Sequence, residues 1–212
     1  MRPRPYSALR TAHSKMAAVS ETIVREYFEL HGFFVRQQRK YVAPTRREDE
    51  EIDFFVLNPH QVASDKPLPF VLSSNEVPVI ARAVVVVKGW HTESFSSAVL
   101  ANAPEIFRFV DPPVFQRASK TFGGGAAPTK ILVVPALPQG SEAREQSIGL
   151  LKSKGVDAIL PFHTMLADLI DQIEVNRNYQ KSDLLQIIRI LKNYDFFKEP
   201  QLELFKARRR RR

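Results

Sequence analysis

Apolar and polar positions recur with two different periods along this chain, and each change of period marks an element. From Ser14 or Ser20 to His31, Ile23, Val24, Tyr27, Phe28 and His31 repeat at three- and four-residue spacing, which predicts a helix with one apolar face. Gly32 stops it. The period then drops to two. Phe33, Val35, Gln37, Arg39 and Tyr41 share one face of a predicted strand over 33–42, opposite Phe34, Arg36, Gln38 and Lys40. A charged turn over 44–50 leads to a second strand, Glu51 to Leu57, so the pair reads as an antiparallel hairpin. Residues 59–79 are proline-rich, with one short extended piece at Phe70 to Leu72. The run Ile80 to Val87 follows, with four consecutive valines, and ends on Lys88, Gly89 and the single tryptophan, Trp90. Such a β-branched run suits a fully buried strand better than a helix.

Thr92 or Ser94 is the expected cap of a helix carrying Phe95, Val99 and Leu100, broken near Pro104 and finished before Asp111-Pro112-Pro113. A loop with Gly123, Gly124 and Gly125 comes next. The second half alternates regularly: strand Lys130 to Pro135, helix Glu142 to Lys154 ended by Gly155, strand Val156 to Leu160, helix Thr164 to Val175. Strand, helix, strand of this length predicts a crossover between parallel strands. A last helix starts at Ser182 and carries Leu184, Leu185, Ile187, Ile188 and Leu191 to about Tyr194. The fold class expected is α/β: a helix, a three-strand antiparallel meander, a helix and a strand, extended by a further strand and helices. Its expected divisions are a disordered basic tail over 1–13, one domain over 14–178, a helical extension over 179–205 and an arginine-rich tail over 206–212.

Composition narrows the function classes. With no cysteine in 212 residues, disulfide scaffolds, thiolate zinc sites and cysteine nucleophiles are excluded, and a reducing, cytoplasmic setting is expected. No apolar run approaches the ~20 residues that span a bilayer, and the first residues lack a signal-peptide core, so no membrane association is expected. Met16 stands as an alternative start. The net charge of +8 is unevenly placed: residues 1–20 hold four cations and no acid, residues 206–212 hold six cations, and the stretch between is slightly acidic. Either tail could grip phosphates or simply lie solvated. The triple glycine lacks the Gly-Lys-Ser/Thr ending of a phosphate loop, and no Gly-X-Ser-X-Gly elbow occurs. The five histidines are scattered, with only His91 close in sequence to a charged strand end.

That strand end holds the chemistry. Lys88 at the rim of a core strand must reach water or be held by acids, because an unpaired buried ammonium is very costly. Glu21 on the first helix and Asp53 on the second strand are the candidates. Glu21 stands six residues before Tyr27-Phe28 and ahead of Gly32-Phe33, Glu51-Ile52-Asp53 is an acidic-Ile-Asp strand, and Val84 to Trp90 is a hydrophobic strand closed by lysine. In these three matches, over residues 20–110, the sequence resembles the restriction endonuclease-like, or PD-(D/E)XK, nuclease superfamily, especially its small Holliday-junction-resolvase-like members. The resemblance implies a Mg²⁺-dependent phosphodiesterase site in which Asp53, Glu21 and the Val87 carbonyl hold the ion and Lys88, with Asp53, is catalytic. Val86 departs from it, because the residue two before the lysine is normally an acid or Gln. A side chain that cannot ligate leaves the site one negative charge short.

Three readings follow. The chain is a degenerate member that kept the fold and a nucleic-acid groove. Or it is an active nuclease whose missing acid comes from Glu93 or Glu51. Or Asp53 and Lys88 are a structural pair at a sheet end. Arg36, Arg39, Lys40, Arg46 and Arg47 form the expected phosphate track, for DNA or another nucleic acid, unless they pair with the acidic run 48–51. The C-terminal helix is the expected contact for a protein partner or a second copy.

Overall fold

The computed structural model describes residues 6–38 and 52–197, with side chains from residue 18 onward. Two compact units divide between Asp171 and Gln172. The first is an α/β unit around one five-stranded open sheet. Helix α1 (Tyr6–Leu30) is followed by β1 (Phe34–Gln37), β2 (Phe54–Leu57) and β3 (Arg82–Val87). Helix α2 (Ser97–Ala101), a 3₁₀ segment over Pro104–Val110 and α3 (Pro112–Lys120) come next, then β4 (Thr129–Val134), α4 (Ser141–Ser153), β5 (Ala158–Pro161) and α5 (Phe162–Gln172).

The sheet order is β1-β2-β3-β4-β5. β1 to β3 form an antiparallel meander, with Gln37 opposite Phe54 and Phe54 opposite Val85, whereas β3, β4 and β5 run parallel. Both faces are covered, which is why β3 and β4 read as near-continuous apolar runs rather than as alternation. On one face, Val84, Val86, Leu132, Val134 and Ile159 pack with Phe95, Leu100 and Ile106. The intervening residues Ala83, Val85, Ile131 and Val133 are also fully buried and point to the other face. There α1 lies beside α5, joined by His31 Nε2 and Asp168 Oδ2 at 2.6 Å. Tyr27 and Phe28 meet edge to face with ring centres 5.6 Å apart, and Phe28 meets Phe33 at 5.2 Å.

Tyr27 is fully buried, and its hydroxyl donates to Ser74 Oγ at 3.1 Å. Burial, which the Ser74 bond only partly offsets, pushes the phenol well above its ordinary value of about 10, and the negative Asp168 and Glu76 add to the rise. A raised folded-state pKa keeps its stability contribution below the unfolded value and loses it as pH climbs. The unit should therefore lose about 1.4 kcal/mol per pH unit once pH passes ~10. Urea titrations at successive alkaline pH values should show that limb, flattened in Tyr27→Phe.

Several boundaries differ from the sequence pattern. α1 begins at Tyr6 rather than at Ser14 or Ser20, and the described part of β1 ends at Gln37, with 39–51 outside the described residues. The helix expected to be capped by Thr92 or Ser94 starts at Ser97 and is capped by Ser96, whose Oγ accepts from Val99 N at 3.3 Å. It is also not one helix. Pro104 opens a 3₁₀ segment, and Pro112-Pro113, expected to end a helix, begin α3 instead. Proline suits a first turn because its missing N–H would have no partner there. The extended piece at Phe70 to Leu72 is present and lies along β5, with Ile159 N donating to Phe70 O at 2.7 Å and Leu72 N to Ile159 O at 2.9 Å. It thereby covers an otherwise open sheet edge.

The triple-glycine loop wraps the Arg82 guanidinium. Arg82 Nη1 donates to Gly124 O at 3.0 Å, and the guanidinium carbon lies 6.0 Å from the Phe122 ring centre. Gly125 has φ +107°, and a Cβ there would stand 2.7 Å from Arg82 Nη2. Gly125→Ala thus meets backbone strain, while the end of the Arg82 side chain must shift aside, and a loss of about 1–3 kcal/mol is expected in denaturant unfolding.

The second unit contains α6 (Asp183–Asn193), with the expected cap: Ser182 Oγ accepts from Leu185 N at 3.3 Å. Arg189 Nε donates to Val175 O at 2.8 Å and ties the helix to the segment before it. Ile187 and Ile190 are 54% and 45% exposed.

Candidate nucleic-acid interface

The end of the sheet at which β3 runs out carries the residues singled out above. Asp53 sits just before β2, where the ladder changes partner type. Its N–H donates to Val85 O at 3.1 Å, its carbonyl accepts from Gln38 N at 2.8 Å, and its carboxylate Oδ2 accepts from Val87 N at 2.7 Å. A side-chain carboxylate thus satisfies an amide that a strand carbonyl would otherwise serve. Asp53 is only 7% exposed, so this bond fixes its rotamer. Lys88 follows Val87 directly, and its N–H continues the parallel ladder to Val133 O at 3.0 Å.

Helix α1 brings Glu21 to the same end of the sheet. Glu21 Oε2 accepts from Gln37 Nε2 at 2.7 Å, and Gln37 is the residue paired with Phe54, next to Asp53. One position earlier, buried Ser20 lies over Gly89: a Cβ on Gly89 would stand 2.3 Å from Ser20 Oγ. Ser20 Oγ is 2.9 Å from His91 Nε2, and the His91 ring meets Phe162 edge to face with centres 4.6 Å apart. Small Ser20 and Gly89 let helix and strand end approach closely, which places Glu21. The sequence pattern missed Ser20 and Gln37, because nothing in their spacing sets them apart from other polar helix and strand positions.

Val86 is 1% exposed and belongs to the apolar cluster with Val84, Phe95 and Leu100. The position where the resemblance places an acid is therefore core. Glu93, expected at the start of the next helix, lies instead in an exposed turn ahead of α2, its N–H donating to Trp90 O at 3.0 Å. Glu51, Arg39, Lys40, Arg46 and Arg47 lie outside the described residues. Among the described residues, no three His, Asp or Glu side chains gather into a metal-holding group. Asp53, Glu21 and the Val87 carbonyl remain as donors, one carboxylate short of the set the resemblance implies for Mg²⁺.

Arg36 is exposed on β1, and its position alternates with that of Gln37, so the two belong to opposite faces of the strand. It borders a cleft of about 230 Å³ between the β1–β2 hairpin and α3. Gln38, Ile52, Phe55, Val114 and Arg117 also line it. Arg117 was not foreseen, because the stretch that forms α3 reads as a loop after the double proline. No helix among the described residues is long and apolar enough to cross a membrane. No family model, curated protein or solved structure matches this chain.

Proposed function

We propose that this chain is a nucleic-acid-binding protein built on a restriction endonuclease-like core, with a degenerate Mg²⁺-dependent phosphodiesterase centre. The observation that carries the reading is the neighbourhood of Lys88. The lysine follows the strand that Asp53 caps, Glu21 is held at the same sheet end, and the acid that should complete the set is a valine packed in the core. A helix, an antiparallel meander and a parallel β4 in this order agree with such a core. Lys88 and Arg36 supply positive charge for phosphates, and the absence of cysteine agrees with a cytoplasmic setting. A second reading, a protein-interaction module, rests on the exposed Ile187 and Ile190 of α6.

The test is binding and cleavage of labelled duplex, junction and single-stranded DNA with Mg²⁺ or Mn²⁺ present. Binding without product is expected. Cleavage that disappears in both Asp53→Ala and Lys88→Ala would show an active nuclease instead, and absence of binding to all three would favour the interaction module.

A further inference from the structure

The cleft between the hairpin and α3 joins two features that a phosphate track alone does not need. It has a cationic rim, with Arg36 from β1 and Arg117 from α3 both exposed, and an apolar floor of buried Ile52 with half-buried Phe55 and Val114. Phe55 is braced by Phe122, edge to face at 5.8 Å, so its ring is held in place before any ligand arrives. Gln38 adds an amide that can both donate and accept. At about 230 Å³ the cleft is smaller than the ~300–1,000 Å³ usual for drug-sized ligands, which suits it to a single small group.

Resting on the nucleic-acid reading above, we propose that this cleft captures one unpaired nucleotide of a single strand. The base lies against Phe55, Ile52 and Val114, and its phosphate is held by Arg36 and Arg117. A base has a flat apolar face for such a floor, and arginine matches phosphate with a fork of donors. Bases inside a duplex are already stacked and paired, so bringing one into a concave site costs its unstacking, which a single strand does not pay. The single strand, or a single-stranded end or flap, is therefore the preferred ligand.

The test is fluorescence anisotropy of the full-length protein with a labelled single strand, the same sequence as a duplex, and a nucleoside monophosphate and inorganic phosphate as competitors. The single strand should bind about tenfold tighter than the duplex. Phe55→Leu, which keeps an apolar residue against Phe122, should weaken the single strand roughly tenfold and leave the duplex unchanged. Arg36→Gln and Arg117→Gln should each reduce the log–log salt slope for the single strand by about 0.7. Equal affinity for both forms, with all three variants silent, would overturn the cleft as the site while leaving the nucleic-acid reading intact. Strong binding of the monophosphate without the oligonucleotide would make the cleft a small-anion site. No binding of either strand form, even at low salt, would overturn both this inference and the reading beneath it.

Discussion

Val86→Glu is expected to lower unfolding free energy by about 4 kcal/mol or more at neutral pH without producing any nuclease activity. Val86 is surrounded by Val84, Phe95, Leu100, Leu132 and Val134, none of which can accept or donate a side-chain hydrogen bond to a carboxylate. An ionised group packed among them loses its hydration, which Lys88 two residues along the same face only partly offsets, so burial favours the protonated form. The sign of the pH dependence follows. An unfolded Glu titrates near ~4.3, and burial lifts the folded-state value above that. Between the two values the unfolded chain binds fewer protons, so the variant loses stability as pH rises through this window. Val86→Ala removes two methyl groups without adding charge, and about 2 kcal/mol is expected. Urea unfolding of both variants at pH 4 and pH 7 checks this. A Val86→Glu protein that is as stable as Val86→Ala at pH 7, and that cleaves DNA with Mg²⁺, would mean that position 86 faces a metal site.

The second large effect is at Asp53. Its carboxylate is the acceptor for Val87 N, so Asp53→Ala leaves that amide without its partner at the end of the central strand. A loss of about 2–3 kcal/mol is expected. Asp53→Asn keeps an oxygen in place and gives up only the charge assistance, at a cost of about 1 kcal/mol. The pair of variants separates capping from chemistry. If Asp53 is mainly a strand cap, Asn restores stability and strengthens nucleic-acid binding, because a negative charge near the phosphates is gone. If Asp53 holds a catalytic ion, both variants abolish cleavage equally, whatever their stability.

The legible parts of this fold are those set by local chemistry. The valine run reads as a buried strand because no other element suits four β-branched residues, and β3 spans Arg82–Val87. Gly32 and Gly155 have φ of +80° and +88°, the left-handed conformation a helix exit needs. Ser182 caps α6 through a bond three residues away. What could not be read depends on contacts distant in sequence. A double proline is the same signal at a helix end and at a helix start, and only packing of Ala118 into the core decides for α3. Strand parity puts Val86 and Lys88 on one face but does not say whether that face is core or cleft. The glycine loop reads as flexible until Arg82, about forty residues earlier, is seen to fill it.

The most direct test of whether the body of this protein binds nucleic acid is a salt series on the full-length chain with its basic ends neutralised. Arg2, Arg4, Arg10, Lys15, Lys206 and Arg208 to Arg212 are each replaced by Gln, and affinity for a single strand is followed from low to physiological salt. Binding should persist, with a log–log slope of about −0.7 for each phosphate still held, and should weaken further with Arg36→Gln. A neutralised chain that binds nothing at any salt would contradict the account, since the tails alone would then have carried the affinity.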